Sequence, residues 1–178
     1  MNPLHWSLTT LLALATLTTT SPTPLRPREE LTTTDDLNTI DSNTLALTDA
    51  INAYTGGLTE ALPIQSASDT LTTTLQSAST GPGTFADDAE AQAAVKFATE
   101  VLAPHVEACA TALVGKKDAF DAAGASVLVK QDLQTISDLA MQLGQMLLDK
   151  NPAYKDNGGQ DAVDRINKAL GDALTAFS

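Results

Sequence analysis

The stretch PIQSASDTLTTTLQSA, Pro63 to Ala78, decides the fold class of this 178-residue chain. Proline suits the first turn of a helix, because its fixed φ is helical and its missing N–H would have no partner there. The apolar residues recur every three or four positions, as on one helical face: Ile64, Ala67, Leu71, Leu75 and Ala78. The stretch therefore predicts an amphipathic helix and not a strand.

The same spacing predicts four more helices on either side of this one. Their limits are marked by cap residues and helix breakers: Gly56–Gly57 after the first, Asp87–Asp88 and Lys116–Lys117 around the third, DAAGAS before the fourth, Asn151–Pro152 after it, and an apolar run from Ala162 to Phe177 for the fifth. Pro104 is a candidate kink inside the third helix. No alternating strand pattern competes, so the predicted fold is all-α, a single-domain bundle of about five amphipathic helices over residues 29–178.

Composition excludes two classes of partner. The net charge is −12, from 10 basic and 22 acidic residues, whereas nucleic acids and anionic membranes attract lysine and arginine. The chain is 43% hydrophobic but only 4% aromatic, so small side chains dominate several interior stripes. A bundle of this kind either packs very closely or leaves internal space.

The N-terminal segment predicts secretion. The apolar run Leu11 to Leu17 is too short to span a bilayer and suits a signal peptide, which we assign to residues 1–20. Residues 21–28 are Thr/Pro-rich and read as a pro-segment or spacer. Processing after Arg28 would leave 8 basic and 22 acidic residues, a net charge of −14. We expect an extracellular protein with no transmembrane segment.

Catalytic and metal-binding patterns are missing from the sequence. After removal of the signal peptide a single histidine remains, His105, which we interpret as a packed or rim residue. Cys109 is alone, so it has no disulfide partner. No G-x-S-x-G turn and no metal-ligand spacing occur. We therefore predict a protein that is not an enzyme and needs no cofactor or metal.

Four segments in order resemble the fungal hydrophobic-surface-binding protein A family, which includes cell-wall galactomannoproteins: IDSNTLALTDAINAYTGG, ALPIQSASDTL, VGKKDAFDAAG and DLQTISDLAMQLGQMLLDKNP. The resemblance implies a secreted all-α bundle of about five helices. It implies that some members hold a long-chain fatty acid in an apolar cavity. It also implies that others adsorb to hydrophobic solids and recruit a secreted polyester-degrading, cutinase-like hydrolase.

The polar residues at the start of the second helix have two interpretations. Serine and threonine in helices often donate to the carbonyl four residues back and need no other partner. Alternatively, the free N–H groups of a helix start, with nearby hydroxyl and amide donors, form the polar end of an apolar cavity and hold a carboxylate. On that hypothesis the polar contacts are Gln65, Ser68, Thr74, Thr44 and Thr48. The acyl chain would lie against Leu47, Ile51, Leu71, Leu75, Val101, Leu133, Ile136, Leu143, Ile166 and Leu170.

Two function classes follow. The first is a secreted carrier or sequestering module for a long-chain fatty acid or another lipid. The second is an adaptor that adsorbs to hydrophobic solid surfaces and recruits a hydrolase. A structural cell-wall mannoprotein is a third, weaker alternative.

Overall fold

The computed structural model describes residues 33–178. The predicted signal peptide and pro-segment, residues 1–28, lie outside that range. Both assignments, and the beginning of the domain at residue 29, therefore stay predictions.

The described residues form six helices and no strand. Helix α1 spans Thr33–Ala53, α2 spans Leu62–Thr80, α3 consists of Asp88–Phe97, a π-helical turn Ala98–Leu102 and Ala103–Gly115, α4 spans Lys117–Ala123, α5 spans Ser126–Lys150, and α6 spans Gln160–Ala176. A single turn, Pro152–Tyr154, and a second π-helical turn, Lys155–Gly159, connect α5 to α6. The predicted all-α fold and single helical domain are confirmed, with six helices instead of about five.

Helix α4 is the one helix that the apolar spacing did not predict. It has seven residues, too few for an apolar repeat to stand out from its surroundings. Its one large apolar side chain, Phe120, is completely buried. Gly124 ends the helix with a φ of 70°, and the next N–H, of Ala125, donates to the Phe120 carbonyl at 2.9 Å. This left-handed glycine cap is a common way to end a helix.

The predicted helix limits agree with the observed caps. Pro63 lies in the first turn of α2, and Gly56 and Gly57 follow α1 with φ values of 130° and 94°. The side chain of Asp87 accepts a hydrogen bond of 2.8 Å from the Glu90 N–H and so caps α3.

Pro104 produces a π-helical turn in α3. Within this turn the Ala103 N–H donates to the Ala98 carbonyl, five residues back. The next bond in that register would join Pro104 to the Thr99 carbonyl, and proline has no N–H to make it. Arg165 of α6 supplies the missing donor at 2.9 Å, while its other nitrogens bind Glu107 at 3.0 Å. At the position of the predicted kink, the helix thus contains one extra residue in a π-helical turn. Arg165 of the neighbouring helix α6 stabilises that turn.

Five of the helices form a closed ring, in the order α1, α2, α5, α6, α3 and back to α1. We call the end where α1 begins and α2 stops the upper end. The other end, where α1 stops and α2 and α5 begin, is the lower end, and α4 lies there between α3 and α5. No helix within residues 33–178 is both long and apolar enough to cross a bilayer.

Candidate ligand-binding cavity

The ring encloses an apolar cavity of about 120 Å³, taken as the volume open to the centre of a water-sized sphere. One water needs about 10–15 Å³ on this measure, so the space is that of roughly ten waters. All five helices line it, with Tyr154 at the upper end: Leu37, Ile40, Thr44, Leu47 and Ile51 from α1; Ile64, Ser68, Leu71 and Leu75 from α2; Ala98, Leu102, Val106, Cys109, Ala110 and Leu113 from α3; Val129, Asp132, Leu133, Ile136, Ala140, Leu143, Gly144 and Leu147 from α5; Val163, Ile166, Asn167 and Leu170 from α6.

A cluster of aromatic rings packs at the lower end of the bundle. Tyr54 and Phe120 stack with ring centroids 4.6 Å apart, and Phe177 lies 6.2 Å from Phe120 at a tilt. Lys116 holds the end of α1 against this cluster, because its ammonium donates to the carbonyls of Tyr54 at 2.6 Å and Asn52 at 3.1 Å. A cation at the end of a helix also opposes the negative pole of the helix dipole.

At the upper end of the bundle, a buried asparagine holds a loop in place. The side-chain amide of Asn151 donates to the Gly83 carbonyl at 2.8 Å, and its oxygen accepts from the Phe85 N–H at 3.0 Å. The Phe85 ring then stacks on Tyr154, with centroids 5.6 Å apart. Burial raises the pKa of the Tyr154 phenol to about 12, so this ring stays neutral at physiological pH.

Nine of the ten apolar residues proposed for the cavity line it, and Val101 does not. Val101 lies inside the π-helical turn, which rotates the chain by an extra residue. The neighbouring Ala98 and Leu102 line the cavity instead. A regular helical projection cannot anticipate this shift, because it assumes 100° per residue throughout.

Of the five proposed polar contacts, Thr44 and Ser68 line the cavity, whereas Gln65, Thr48 and Thr74 lie outside it. Gln65 donates to Asp69 on the surface at 3.1 Å. Thr48 and Thr74 donate to the carbonyls four residues before them, at 2.7 and 3.0 Å. Side chains at the edge of an apolar stripe satisfy themselves locally in this way and have no need of a ligand.

The hydroxyls of the two lining residues differ. Thr44 donates to the Ile40 carbonyl at 2.8 Å, as the local interpretation expects. Ser68 is buried, with 4% of its surface exposed, and its hydroxyl forms no hydrogen bond with any group in residues 33–178. Ser68 is therefore a buried donor that faces the cavity and is free to bind a polar group.

His105 is a rim residue of the α1–α3 contact, as interpreted from the sequence. Its Nδ1 lies 2.7 Å from the Asp41 carboxylate, and its side chain is 34% exposed. Within residues 33–178 no group of three or more His, Cys, Asp or Glu side chains has the arrangement of a metal site.

The profile of the hydrophobic surface binding protein A family matches residues 31–149. The chain belongs to this family. No curated protein sequence gives a significant match. Among solved structures, the chain is similar to AFMP4P in complex with palmitic acid, with a TM-score of 0.76 and 26% identity, over 82% of this chain and 97% of that one.

Two further structures of this fold come from Penicillium marneffei. The first is ligand-binding domain 1 of the MP1 protein with arachidonic acids, which has a TM-score of 0.73 and 23% identity, over 82% of this chain and 95% of that one. The second is ligand-binding domain 2 of the same protein with multiple arachidonic acids. It has a TM-score of 0.70 and 19% identity, over 82% of this chain and 93% of that one. The family is named for surface binding, and the similar structures contain bound fatty acids.

In the present protein, two polar residues that line the cavity were not among the predicted contacts: Asp132 and Asn167. Asp132 lies three residues after Val129 in α5, and Asn167 lies four residues after Val163 in α6. Both therefore occupy stripe positions of their helices. The signal that could have identified both residues is a polar side chain at a position of the apolar stripe. It was missed because only the apolar residues of each stripe were counted.

Asp132 is an acid at the lower half of the cavity wall. Burial raises its pKa, the nearby Asp69 carboxylate raises it further, and a hydrogen bond from Gln65 lowers it. The folded protein therefore holds the Asp132 proton more tightly than the unfolded chain does. As pH rises from the ordinary aspartate pKa through the raised pKa, ionisation of this group lowers the free energy of unfolding. The loss remains at neutral pH.

Asp132→Asn is expected to raise the free energy of unfolding at pH 7 by about 0.2–1 kcal/mol, a range typical of partly exposed charges. At pH 3 the gain should vanish, because the carboxyl group is then protonated in both states. Urea unfolding at the two pH values measures the difference. Asp138→Asn, an exposed position on the same helix, is the control. An equal gain at both pH values, or an equal gain in the control, would contradict the assignment.

Proposed function

We propose that this protein binds a long-chain fatty acid inside the helical ring and acts as a non-catalytic lipid-binding protein. The observation that supports this most strongly is the apolar cavity inside the ring, in a chain that is 26% identical to a protein crystallised with palmitic acid. Ligand pockets are lined mainly by apolar side chains, with a few polar groups that orient the ligand, and this lining has that composition.

The length of the cavity lining fits an acyl chain, and its volume of about 120 Å³, close to the ~150 Å³ of a cavity that holds one benzene, requires the helices to move apart when the chain enters. From Val129 to Leu147 the lining residues of α5 span 18 residues, or about 27 Å at 1.5 Å per residue. An extended chain of 16 carbons needs roughly 20 Å, because each C–C bond advances it by about 1.25 Å. Each buried methylene contributes roughly 0.8 kcal/mol, so a long chain binds tightly without a charged anchor.

The carboxyl group is proposed to lie near Ser68, whose hydroxyl has no other hydrogen bond within residues 33–178. Asp132 lines the cavity on the neighbouring helix. Burial raises its pKa; the protonated form donates to a carboxylate, and the ionised form repels one. Binding is therefore expected to weaken as pH rises through the Asp132 pKa.

Native mass spectrometry and titration with a fluorescent fatty acid test the proposal. We expect co-purified acyl chains, saturable binding, and affinity that rises with chain length until the cavity is full. The alcohol analogue should bind more weakly than the acid. Absence of saturable binding for every chain length would end the proposal.

Ser68→Ala is expected to weaken fatty-acid binding by roughly 10- to 150-fold, the value of one hydrogen bond to a charged group. Fold stability should change little, because the hydroxyl has no protein partner to lose. The matched control is Ser66→Ala, a serine two residues earlier that does not line the cavity. Equal affinities for the two variants would show that the carboxyl group does not bind Ser68.

The place of action is proposed to be outside the cell, on the strength of the Leu11 to Leu17 run and the Thr/Pro-rich segment. Cell-wall association is included in this proposal. N-terminal sequencing of protein from culture medium is expected to begin near residue 29, and a sequence that begins at Met1 would contradict it.

Adsorption to hydrophobic solids, with recruitment of a polyester-degrading hydrolase, is a second candidate function. It is favoured by exposed apolar side chains at the lower end: Leu58 at 65%, Leu62 at 63%, Val127 at 80% and Leu128 at 49%. The protein should then stay on polyester beads at high salt, since the hydrophobic effect is not screened. Release by salt, or retention equal to that of an inert acidic protein, would argue against it.

A further inference from the structure

Asn167 is a polar side chain in the cavity wall whose buried oxygen has no partner. Its Oδ1 is inaccessible to solvent and accepts no hydrogen bond from any group in residues 33–178. Val163 and Leu170, four residues before and three after it, also line the cavity, so all three share one face of α6. A buried polar group left unpaired destabilises a protein, and such groups are rare.

The height of Asn167 in the cavity follows from the packing of α5 against α6. These helices run in opposite directions, and a Cβ placed on Gly144 would lie only 2.9 Å from Val163 Cγ1. Gly144 and Val163 are therefore level. One turn along each helix, Asn167 is level with Ala140.

Ser68 is lower in the cavity. It lies between Gln65 and Asp69, both of which interact with Asp132, so Ser68 and Asp132 are level. From Asp132 to Ala140 is eight residues, or about 12 Å along the axis. Ser68 and Asn167 thus mark two heights in one cavity, separated by about half of its length.

We infer that Asn167 recognises a hydroxyl group in the middle of the acyl chain, about ten carbons from the carboxyl group. This rests on the proposed function, with the carboxyl group near Ser68. At about 1.25 Å per bond, 12 Å corresponds to roughly ten carbons. In the observed orientation Oδ1 is closed off, so a ligand hydroxyl accepts from the Asn167 Nδ2 group, or donates to the oxygen after the amide turns over. A saturated chain leaves the same amide unpaired.

The test compares three 18-carbon acids by titration: octadecanoic acid, 10-hydroxyoctadecanoic acid and the terminal isomer 18-hydroxyoctadecanoic acid. The wild-type protein should bind the 10-hydroxy acid about 2- to 12-fold more tightly than octadecanoic acid, the value of one neutral hydrogen bond. The terminal isomer should bind no more tightly than octadecanoic acid. Asn167→Leu, similar in volume, should reverse the preference and bind octadecanoic acid at least as tightly as the wild type.

Equal wild-type affinity for the two hydroxy isomers would overturn the inference while the proposed function stands. A 10-hydroxy preference that survives in Asn167→Leu would overturn it as well. No saturable binding of any of the three acids would overturn the proposed function and the inference together. Circular dichroism checks that the variant is folded, and if it is not, the wild-type isomer comparison decides.

Discussion

Leu71→Trp is expected to abolish fatty-acid binding and to leave the helices intact. Leu71 lies in the middle of α2, is 4% exposed and lines the cavity. An indole in this position displaces about four or five methylenes of the ligand, each worth roughly 0.8 kcal/mol, which lowers affinity by about 100- to 1,000-fold. Overpacking usually costs about 1–3 kcal/mol, but here the existing space accommodates part of the added volume.

Fluorescent fatty-acid titration measures the loss, and circular dichroism checks the fold. Leu58→Trp is the matched control, since Leu58 is 65% exposed in the loop before α2 and the same change there adds no bulk to the cavity. If Leu71→Trp binds as tightly as the wild type, the ligand lies elsewhere in the bundle.

Phe120→Ala is expected to destabilise the fold severely. The ring is completely buried, stacks on Tyr54 and contacts Phe177. Truncation of a buried phenylalanine costs about 3–5 kcal/mol, a large part of the roughly 5–15 kcal/mol that stabilises a typical domain.

Urea unfolding measures the loss of stability. Leu128→Ala is the control, because Leu128 is 49% exposed at the same end and exposed substitutions change stability by about 0.5 kcal/mol or less. A loss below about 1 kcal/mol for Phe120→Ala would show that α4 does not anchor the bundle.

Local signals in the sequence predicted most of the helix limits. Pro63, Asp87 and the Gly56–Gly57 pair act through their own backbone and side chain, and each is found at the helix end it marked. Helix α4 was missed because its seven residues hold their position through the burial of Phe120. That burial is a long-range contact with no local pattern.

The cavity lining was predictable where an apolar stripe stays regular. Leu133, Ile136 and Leu143 of α5 all face the interior as their spacing indicates. Val101 does not, because Pro104 changes the local helix to a π-helical turn and Arg165 of a different helix supplies the donor for the Thr99 carbonyl. The stabilising contact comes from 66 residues away in the sequence.

The sequence by itself determined that the chain is helical and, outside α4 and the π-helical turn at Val101, which face of each helix is buried, because propensity, capping and the apolar period are properties of neighbouring residues. Only the tertiary structure decided that five helices close into a ring with space at its centre. It also decided which polar side chains stay unpaired there. Thr44 and Ser68 are both lining residues, yet the first is satisfied by its own helix and the second is not. Whether inward-facing side chains meet across an axis depends on the number and spacing of the helices around it, and no local pattern contains that information.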